Sequence, residues 1–259
     1  DQNARGDQCD KCGGTYEVTE LKNPRVAIAG DGSTPTLKTT AHWFLKLDRF
    51  VERLQRMIEM HGETSSSPWR LNARREAVGW LKRGLQARAI TRDTAWGVKI
   101  PLDDPDVENK RLYVWFDAPI GYITFTQQYF ARRGDADGWK DFWQNPDCLI
   151  YHFIGKDNIP FHAITFPAML MGVSENLAPG EQPYQLPAQV VANEFLNFGA
   201  DKFSKSRGNL IEAEWFARKY GSEALRYYLT AVAPENNDSV FTWADFMQRY
   251  NGELADIIG

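Results

Sequence analysis

Residues 149–155 read Leu149-Ile150-Tyr151-His152-Phe153-Ile154-Gly155, an apolar run closed by a glycine. A run this short, bounded by turn residues, predicts a buried strand of a parallel sheet. Downstream, Pro160 to Met171 reads as a helix, with Pro160 suited to a first turn whose N–H groups have no helical partner. Residues 188–196 (Ala-Gln-Val-Val-Ala-Asn-Glu-Phe-Leu) then predict a second strand. Strand, helix, strand in that order is a βαβ unit, so this half of the chain is expected to be α/β.

Working upstream, residues 46–62 predict a helix. Leu47, Phe50, Val51, Leu54, Met57 and Ile58 fall at three- and four-residue spacing, and Gly62 stops the pattern. A second helix is predicted from Leu71 to Gly84. Residues 1–45 are turn-rich, and Cys148 is read as lying in a strand. Beyond Glu212 the pattern is helical, broken by Gly221, Pro234 and the Asn236-Asn237-Asp238 turn.

At 259 residues the chain has room for one large or two modest domains, at roughly 150 residues each. With 43% hydrophobic and 25% charged residues, collagen-like, disordered and coiled-coil classes are excluded. No stretch approaches the ~18 consecutive apolar residues that span a bilayer, so no membrane partner is expected. A net charge of -4 excludes a uniformly basic nucleic-acid coat while leaving room for a local basic groove. The polar opening and an end inside an amphipathic pattern (Asp256-Ile257-Ile258-Gly259) lead us to expect the middle of a longer protein.

Three cysteines do not make a disulfide framework, and with no charged-then-apolar leader a reducing, cytoplasmic setting is expected. Cys9-Asp10-Lys11-Cys12-Gly13-Gly14 has knuckle spacing. Its glycines let the backbone fold tightly around a metal, so Cys9 and Cys12 are candidate Zn²⁺ ligands. A structural zinc needs four ligands and no second pair is present, which leaves two reduced surface thiols as the alternative. Two nucleotide signatures fail. Gly30-Asp31-Gly32-Ser33-Thr34-Pro35 has Pro35 where a dinucleotide fingerprint needs its third glycine. A phosphate-binding loop starting at Gly32 would need glycine where Leu37 stands.

Asp201-Lys202-Phe203-Ser204-Lys205-Ser206-Arg207-Gly208-Asn209 carries more. Two lysines three apart, alternating with hydroxyls, can close over a polyphosphate and neutralise charge on a leaving pyrophosphate. A helix N-terminus in residues 209–214 is expected to add a favourable dipole. By composition alone a solvated basic loop is the competing reading.

Lys202-Phe203-Ser204-Lys205-Ser206 resembles the KMSKS signature of class I aminoacyl-tRNA synthetases, with Phe for Met. Three further blocks resemble the methionyl-tRNA synthetase family in particular. The segment from Tyr113 to Tyr122 (Tyr-Val-Trp-Phe-Asp-Ala-Pro-Ile-Gly-Tyr) is similar to its amino-acid pocket. Ile154 to His162 (Ile-Gly-Lys-Asp-Asn-Ile-Pro-Phe-His) is similar to its ATP and methionine segment, and Ala89 to Val98 to the end of its connective insert. Cys9 and Cys12, Glu20-Leu21 and Ala41-His42-Trp43-Phe44 resemble the start of that insert.

The resemblance implies the second half of a Rossmann-like parallel-sheet catalytic domain. Residues 1–110 would form a connective-peptide insert with a zinc-knuckle remnant. Residues 111–210 would hold the latter half of the nucleotide fold, and residues 211–259 a helical junction toward an anticodon-binding domain. It implies ATP with Mg²⁺, methionine and tRNA as partners. Lys202 and Lys205 would be catalytic, and Gly155, Asp157, Lys202, Ser204, Lys205 and Ser206 would bind ATP. Methionine would meet Trp115, Ala118, Pro119, Tyr122, Asn158 and His162. Physically, the aromatic rings and small residues suit a thioether, and the tips of Tyr122 and His162 can favour sulfur only modestly. The plain alternatives are core packing for Trp115, a satisfied helix histidine for His162, a strand terminator for Gly155 and a helix N-cap for Asp157.

One departure stands out: none of His42, His61, His152 and His162 forms the family's His-x-x-His pair. The chain by itself is therefore expected to activate methionine poorly or not at all. Two other classes stay open, a non-catalytic tRNA-binding module derived from a synthetase and a class I synthetase for another aliphatic amino acid.

Overall fold

The computed structural model describes residues 16, 18–26, 32–199, 201–203 and 208–258. In chain order, β1 (Phe44–Leu45), α1 (Val51–Met60), α2 (Leu71–Arg83), β2 (Arg88–Ala89), β3 (Thr91–Asp93) and β4 (Lys110–Leu112) come first. They precede α3 (Val114–Asp117), α4 (Ile120–Arg132) and α5 (Lys140–Trp143). The unit expected from the central sequence follows as β5 (Ile150–Gly155), α6 (Phe166–Ser174) and β6 (Pro187–Asn193). The remainder is β7 (Leu196–Phe198), β8 (Asp201–Lys202), α7 (Ala213–Tyr220), α8 (Ser222–Ala231), β9 (Ser239–Phe241) and α9 (Trp243–Arg249).

β5 and β6 pair in parallel, with His152 opposite Val190 and Gly155 opposite Asn193. α6 makes the crossover between them, which gives the expected βαβ unit. Its helix is entered through a π-turn at Phe161–Thr165, with Pro160 preceding it. α1 places Leu54, Met57 and Ile58 on the largest core, together with Ala73 and Ala77 of α2, Ile164 and Ala168 of the crossover, and Val190 and Ala192 of β6. The predicted α1 stripe is the one that is buried. Gly84, at φ 82°, ends α2 in a conformation that a side chain would resist. β6 is bonded by side chains from the loop before α2 and from its first turn. Trp69 Nε1 donates to the Ala188 carbonyl at 3.1 Å and Asn72 Nδ2 to that of Ala192 at 3.0 Å.

The β5 run is not buried on both faces. His152 is enclosed, but Tyr151 and Phe153 on the opposite face are 49% and 75% exposed. His152 meets α4 and the crossover through Tyr122, His162 and Phe166, and strand alternation turns every second side chain of β5 to the other face. Cys148 lies just before this strand, not within it.

The C-terminal part is a three-stranded sheet in the order β8-β7-β9 under helices. β7 is antiparallel to β8 and parallel to β9. Phe216, Ala224, Tyr228, Phe241 and Phe246 form its core. Burying each of the four rings, Phe216, Tyr228, Phe241 and Phe246, favours this packing by roughly 1.5–3 kcal/mol. The sequence pattern here reads as helical, broken by Gly221, Pro234 and the Asn236-Asn237-Asp238 turn, and β9 follows that turn where no strand was expected. Three residues are too few for a period to register, and β9 exists because β7 offers an edge. Thr242 then caps α9, its hydroxyl accepting from the Asp245 N–H at 3.1 Å.

Candidate active site

Residues from α3, α4, β5 and the π-turn meet at one place. His162, 6% exposed, lies in the π-turn, a distortion found often at functional sites. Its Nδ1 bonds the Asn158 carbonyl at 3.0 Å. A carbonyl only accepts, so Nδ1 carries the proton and Nε2 is a bare acceptor. Tyr122 Oη lies 2.9 Å from Nε2 and donates to it. Burial pushes the His162 pKa down, partly opposed by the Asn158 bond. His152 faces His162 edge-on at 5.0 Å between centroids. Burial, reinforced by repulsion from a charged His162, pushes His152 down to about 4. Both imidazoles are therefore neutral at pH 7, and the pocket floor is polar but uncharged.

Aromatic rings wall this floor. Trp115 stacks on Phe161 at 5.2 Å and 22°. Tyr122 tilts against His152 at 5.4 Å and against Phe166 at 6.2 Å. Trp115 and Tyr122 remain 44% and 41% exposed, so Trp115 belongs to the rim of an open pocket and to none of the buried clusters. Pro119 is buried and Ala118 exposed where α3 turns into α4. An uncharged slot with polarizable walls suits an apolar or thioether side chain. Since the Tyr122 proton is already committed to His162, any selectivity for sulfur comes from shape and ring contacts more than from a donated hydrogen bond.

The end of β5 forms the next wall. A Cβ added at Gly155 would lie 2.7 Å from Asp157 Oδ1, so the glycine lets that carboxylate fold back against the strand end. Asp157 caps no helix. It is exposed and, among the described residues, accepts from Asn158 Nδ2 at 3.3 Å. Its free lone pairs can take ribose-like hydroxyls.

The basic segment is described in part. The backbone of Lys202 pairs with Asn197 across the β7–β8 hairpin. The Phe203 ring stacks on Phe198 at 5.4 Å and packs on the C-terminal core. Ser204, Lys205 and Ser206 lie outside the described residues, as do Cys9 and Cys12. Among the described residues no group of His, Cys, Asp and Glu could hold a metal ion. The helix N-terminus expected in residues 209–214 is less suited to an anion than its sequence position implied. α7 begins at Ala213 with Glu212 as its cap residue and Glu214 in its first turn, and carboxylates there oppose a second negative charge.

Three participants escaped sequence reasoning. Phe161 stacks under Trp115, His152 packs on both Tyr122 and His162, and Lys156 bonds Glu194 and Asp238. For His152 a signal existed, a lone ionisable residue inside an apolar strand. The other two lie within the Ile154–His162 block, but nothing local in it singled them out.

The chain is similar to known proteins along its whole length. A profile of the family described as tRNA synthetases class I (M) matches residues 1–259. The methionine--tRNA ligase of Chloroherpeton thalassium is 46% identical over 256 residues, covering 99% of this chain and 35% of that protein. That of Thermococcus onnurineus is 44% identical over 261 residues, covering 100% and 35%. The chain thus spans about a third of the length of these relatives. Mycobacterium tuberculosis methionyl-tRNA synthetase in complex with methionyl-adenylate superposes with a TM-score of 0.64 at 25% identity, over 88% of this chain and 40% of that one. The apo form of the same enzyme gives 0.63 at 24%, over 87% and 39%, and supports the fold.

Proposed function

The chain belongs to the family of class I (M) tRNA synthetases, and from that membership we propose that it forms the methionine pocket and the pyrophosphate-side ATP site of a methionine–tRNA ligase. In that reaction the methionine carboxylate attacks the α-phosphate of ATP and pyrophosphate leaves. The resulting methionyl-adenylate then esterifies the terminal adenosine of tRNA, releasing AMP. Trp115, Ala118, Pro119, Tyr122, Asn158 and His162 hold the amino acid. Gly155 and Asp157 receive the adenosine. Lys202 and Lys205, with Mg²⁺ brought by ATP, offset charge on the departing phosphates, and Ser204 and Ser206 hold their oxygens.

The observation that carries this reading is the Tyr122–His162 pair, at 2.9 Å, with the stacked Trp115 and Phe161 rings contributed by the same elements. An uncharged floor accepts a thioether and disfavours a charged side chain. Within the same reading residues 1–110 are the insert, with Cys9 and Cys12 contributing half of a zinc site. Residues 111–210 are the nucleotide-fold half and residues 211–259 the junction toward tRNA, in a cytoplasmic enzyme. Lacking a His-x-x-His pair, the chain alone forms little adenylate.

Calorimetric titration with methionine, leucine, isoleucine and valine tests the proposal. Methionine is expected to bind at least tenfold more tightly than the others, and His162→Ala to abolish that preference, since about 1.4 kcal/mol separates each factor of ten. Equal binding of leucine or isoleucine would favour a synthetase for another aliphatic amino acid. Salt-dependent tRNA binding with no amino-acid binding would favour a non-catalytic module. Robust methionine-dependent ATP–pyrophosphate exchange, lost in Lys205→Ala, would overturn the expectation that the chain alone is nearly inactive.

A further inference from the structure

Lys156 follows Gly155 at the end of β5, beside the pocket, where a lysine invites assignment as a phosphate ligand. Its surroundings point elsewhere. Nζ lies 2.7 Å from Glu194 Oε2 and 2.6 Å from Asp238 Oδ1, and sits 4.5 Å from the centre of the Phe195 ring. An ammonium has three N–H groups; two serve carboxylates, and the charge also rests on an aromatic face. With two carboxylates against one ammonium, the cluster is net negative and unsuited to a polyphosphate.

The cluster spans a joint in the chain. β6 ends at Asn193 and β7 begins at Leu196, so only Glu194 and Phe195 connect the parallel pair to the separate β8-β7-β9 sheet. Lys156 comes from the parallel pair and grips both sides of this link. Glu194 also accepts from Asn72 Nδ2 at 2.9 Å, anchoring it to α2. Asp238, just before β9, also accepts from the Phe195 N–H at 2.9 Å. Two backbone bonds flank the link, Glu194 N–H to the Pro234 carbonyl at 2.7 Å and Ser239 N–H to that of Phe195 at 2.9 Å. Among the described residues, Lys156 is the side chain that ion-pairs both with the link and with the sheet beyond it.

We propose that Lys156 is a positioning residue: through Glu194 and Asp238 it locks the Glu194–Phe195 joint and so sets the β7–β8 hairpin, which carries Lys202, against the strand end that carries Gly155 and Asp157. The inference rests on the functional reading above for its consequence, alignment of the two ends of the ATP site. The locked joint itself stands on geometry alone.

The test compares wild type, Lys156→Met, which keeps the stem and deletes the charge, and Lys156→Arg, which restores it. Hydrogen exchange is followed for backbone amides of β7 and β9, with β5 and β6 as internal reference. Binding of Mg²⁺-ATP and of methionine is measured on the same full chains. In Lys156→Met, β7 and β9 amides are expected to exchange about tenfold faster while β5 and β6 stay unchanged, a coupling typical of residues in one ion-pair network. ATP affinity is expected to fall about tenfold, methionine affinity to stay within about twofold, and Lys156→Arg to recover most of both changes. Unchanged exchange in Lys156→Met would overturn the proposal, as would exchange rising everywhere with methionine and ATP affinity falling together. ATP binding lost in both variants with exchange unaltered would make Lys156 a direct phosphate ligand and likewise overturn it. Should wild type bind neither ligand, the functional reading fails, and the exchange comparison still decides whether Lys156 locks the joint.

Discussion

Protonation of His152 should make the fold acid-sensitive well above the carboxylate range. The ring is buried, its Nε2 has no hydrogen-bond partner among the described residues, and its pKa is pushed from 6.5 down to about 4. The unfolded chain binds this proton near 6.5 and the folded chain only near 4. Between those values the unfolded state holds more protons, so this contribution is full above 6.5 and is lost as pH falls toward 4. Integrating the difference in bound protons gives a loss of about 2 kcal/mol between pH 7 and pH 5. His162, its pKa also lowered by burial, acts in the same direction. Urea unfolding of wild type and His152→Leu at the two pH values measures the effect. Wild type should lose about 2 kcal/mol or somewhat more, and His152→Leu only the smaller part due to its neighbours. An imidazole titration by NMR should place His152 near 4. A wild-type slope retained in His152→Leu, or a His152 titration near 6.5, would refute the reasoning.

Tyr122→Phe strands His162 Nε2 in a largely buried site, so stability should fall by about 1 kcal/mol in urea unfolding, and calorimetry should find methionine bound several-fold more weakly. Gly155→Ala forces the Asp157 carboxylate off the strand end. Calorimetric titration should show adenosine or ATP binding weakened and methionine binding retained, and equal ATP binding would remove Asp157 from the nucleotide site. Asp245→Ala deprives the Tyr228 hydroxyl, 2.8 Å away on a residue 1% exposed, of its acceptor. Thermal unfolding should register a loss of about 1–3 kcal/mol. Phe216→Ala opens the aromatic core under the β8-β7-β9 sheet and should cost about 3–5 kcal/mol, seen as earlier unfolding of that part by hydrogen exchange.

The elements were legible where the signal is local. The α1 stripe, the glycine stop after α2, the βαβ order around residues 149–196 and the ordered motif blocks all lie within short windows, where backbone geometry imposes periods of 3.6 or 2. Trp115, Ala118, Pro119, Tyr122, Asn158 and His162 were also named in advance, because the family resemblance supplied them; His152 and Phe161 were not. What they do to one another was not legible. Tyr122 and His162 are 40 positions apart and Lys156 and Asp238 are 82 apart.

By itself, then, the sequence determined the α/β class, the order of its main elements and the chemistry on offer at each motif. Only the tertiary structure decided that Tyr122 spends its proton on His162, that His152 Nε2 has no hydrogen-bond partner among the described residues, and that Lys156 is paired with two carboxylates. It also decided that Phe203 turns into a core and that one face of β5 stays open. Secondary structure follows from neighbours along the chain. Charge state, exposure and hydrogen-bond partner follow from neighbours in space, which packing selects among many segments with similar local patterns.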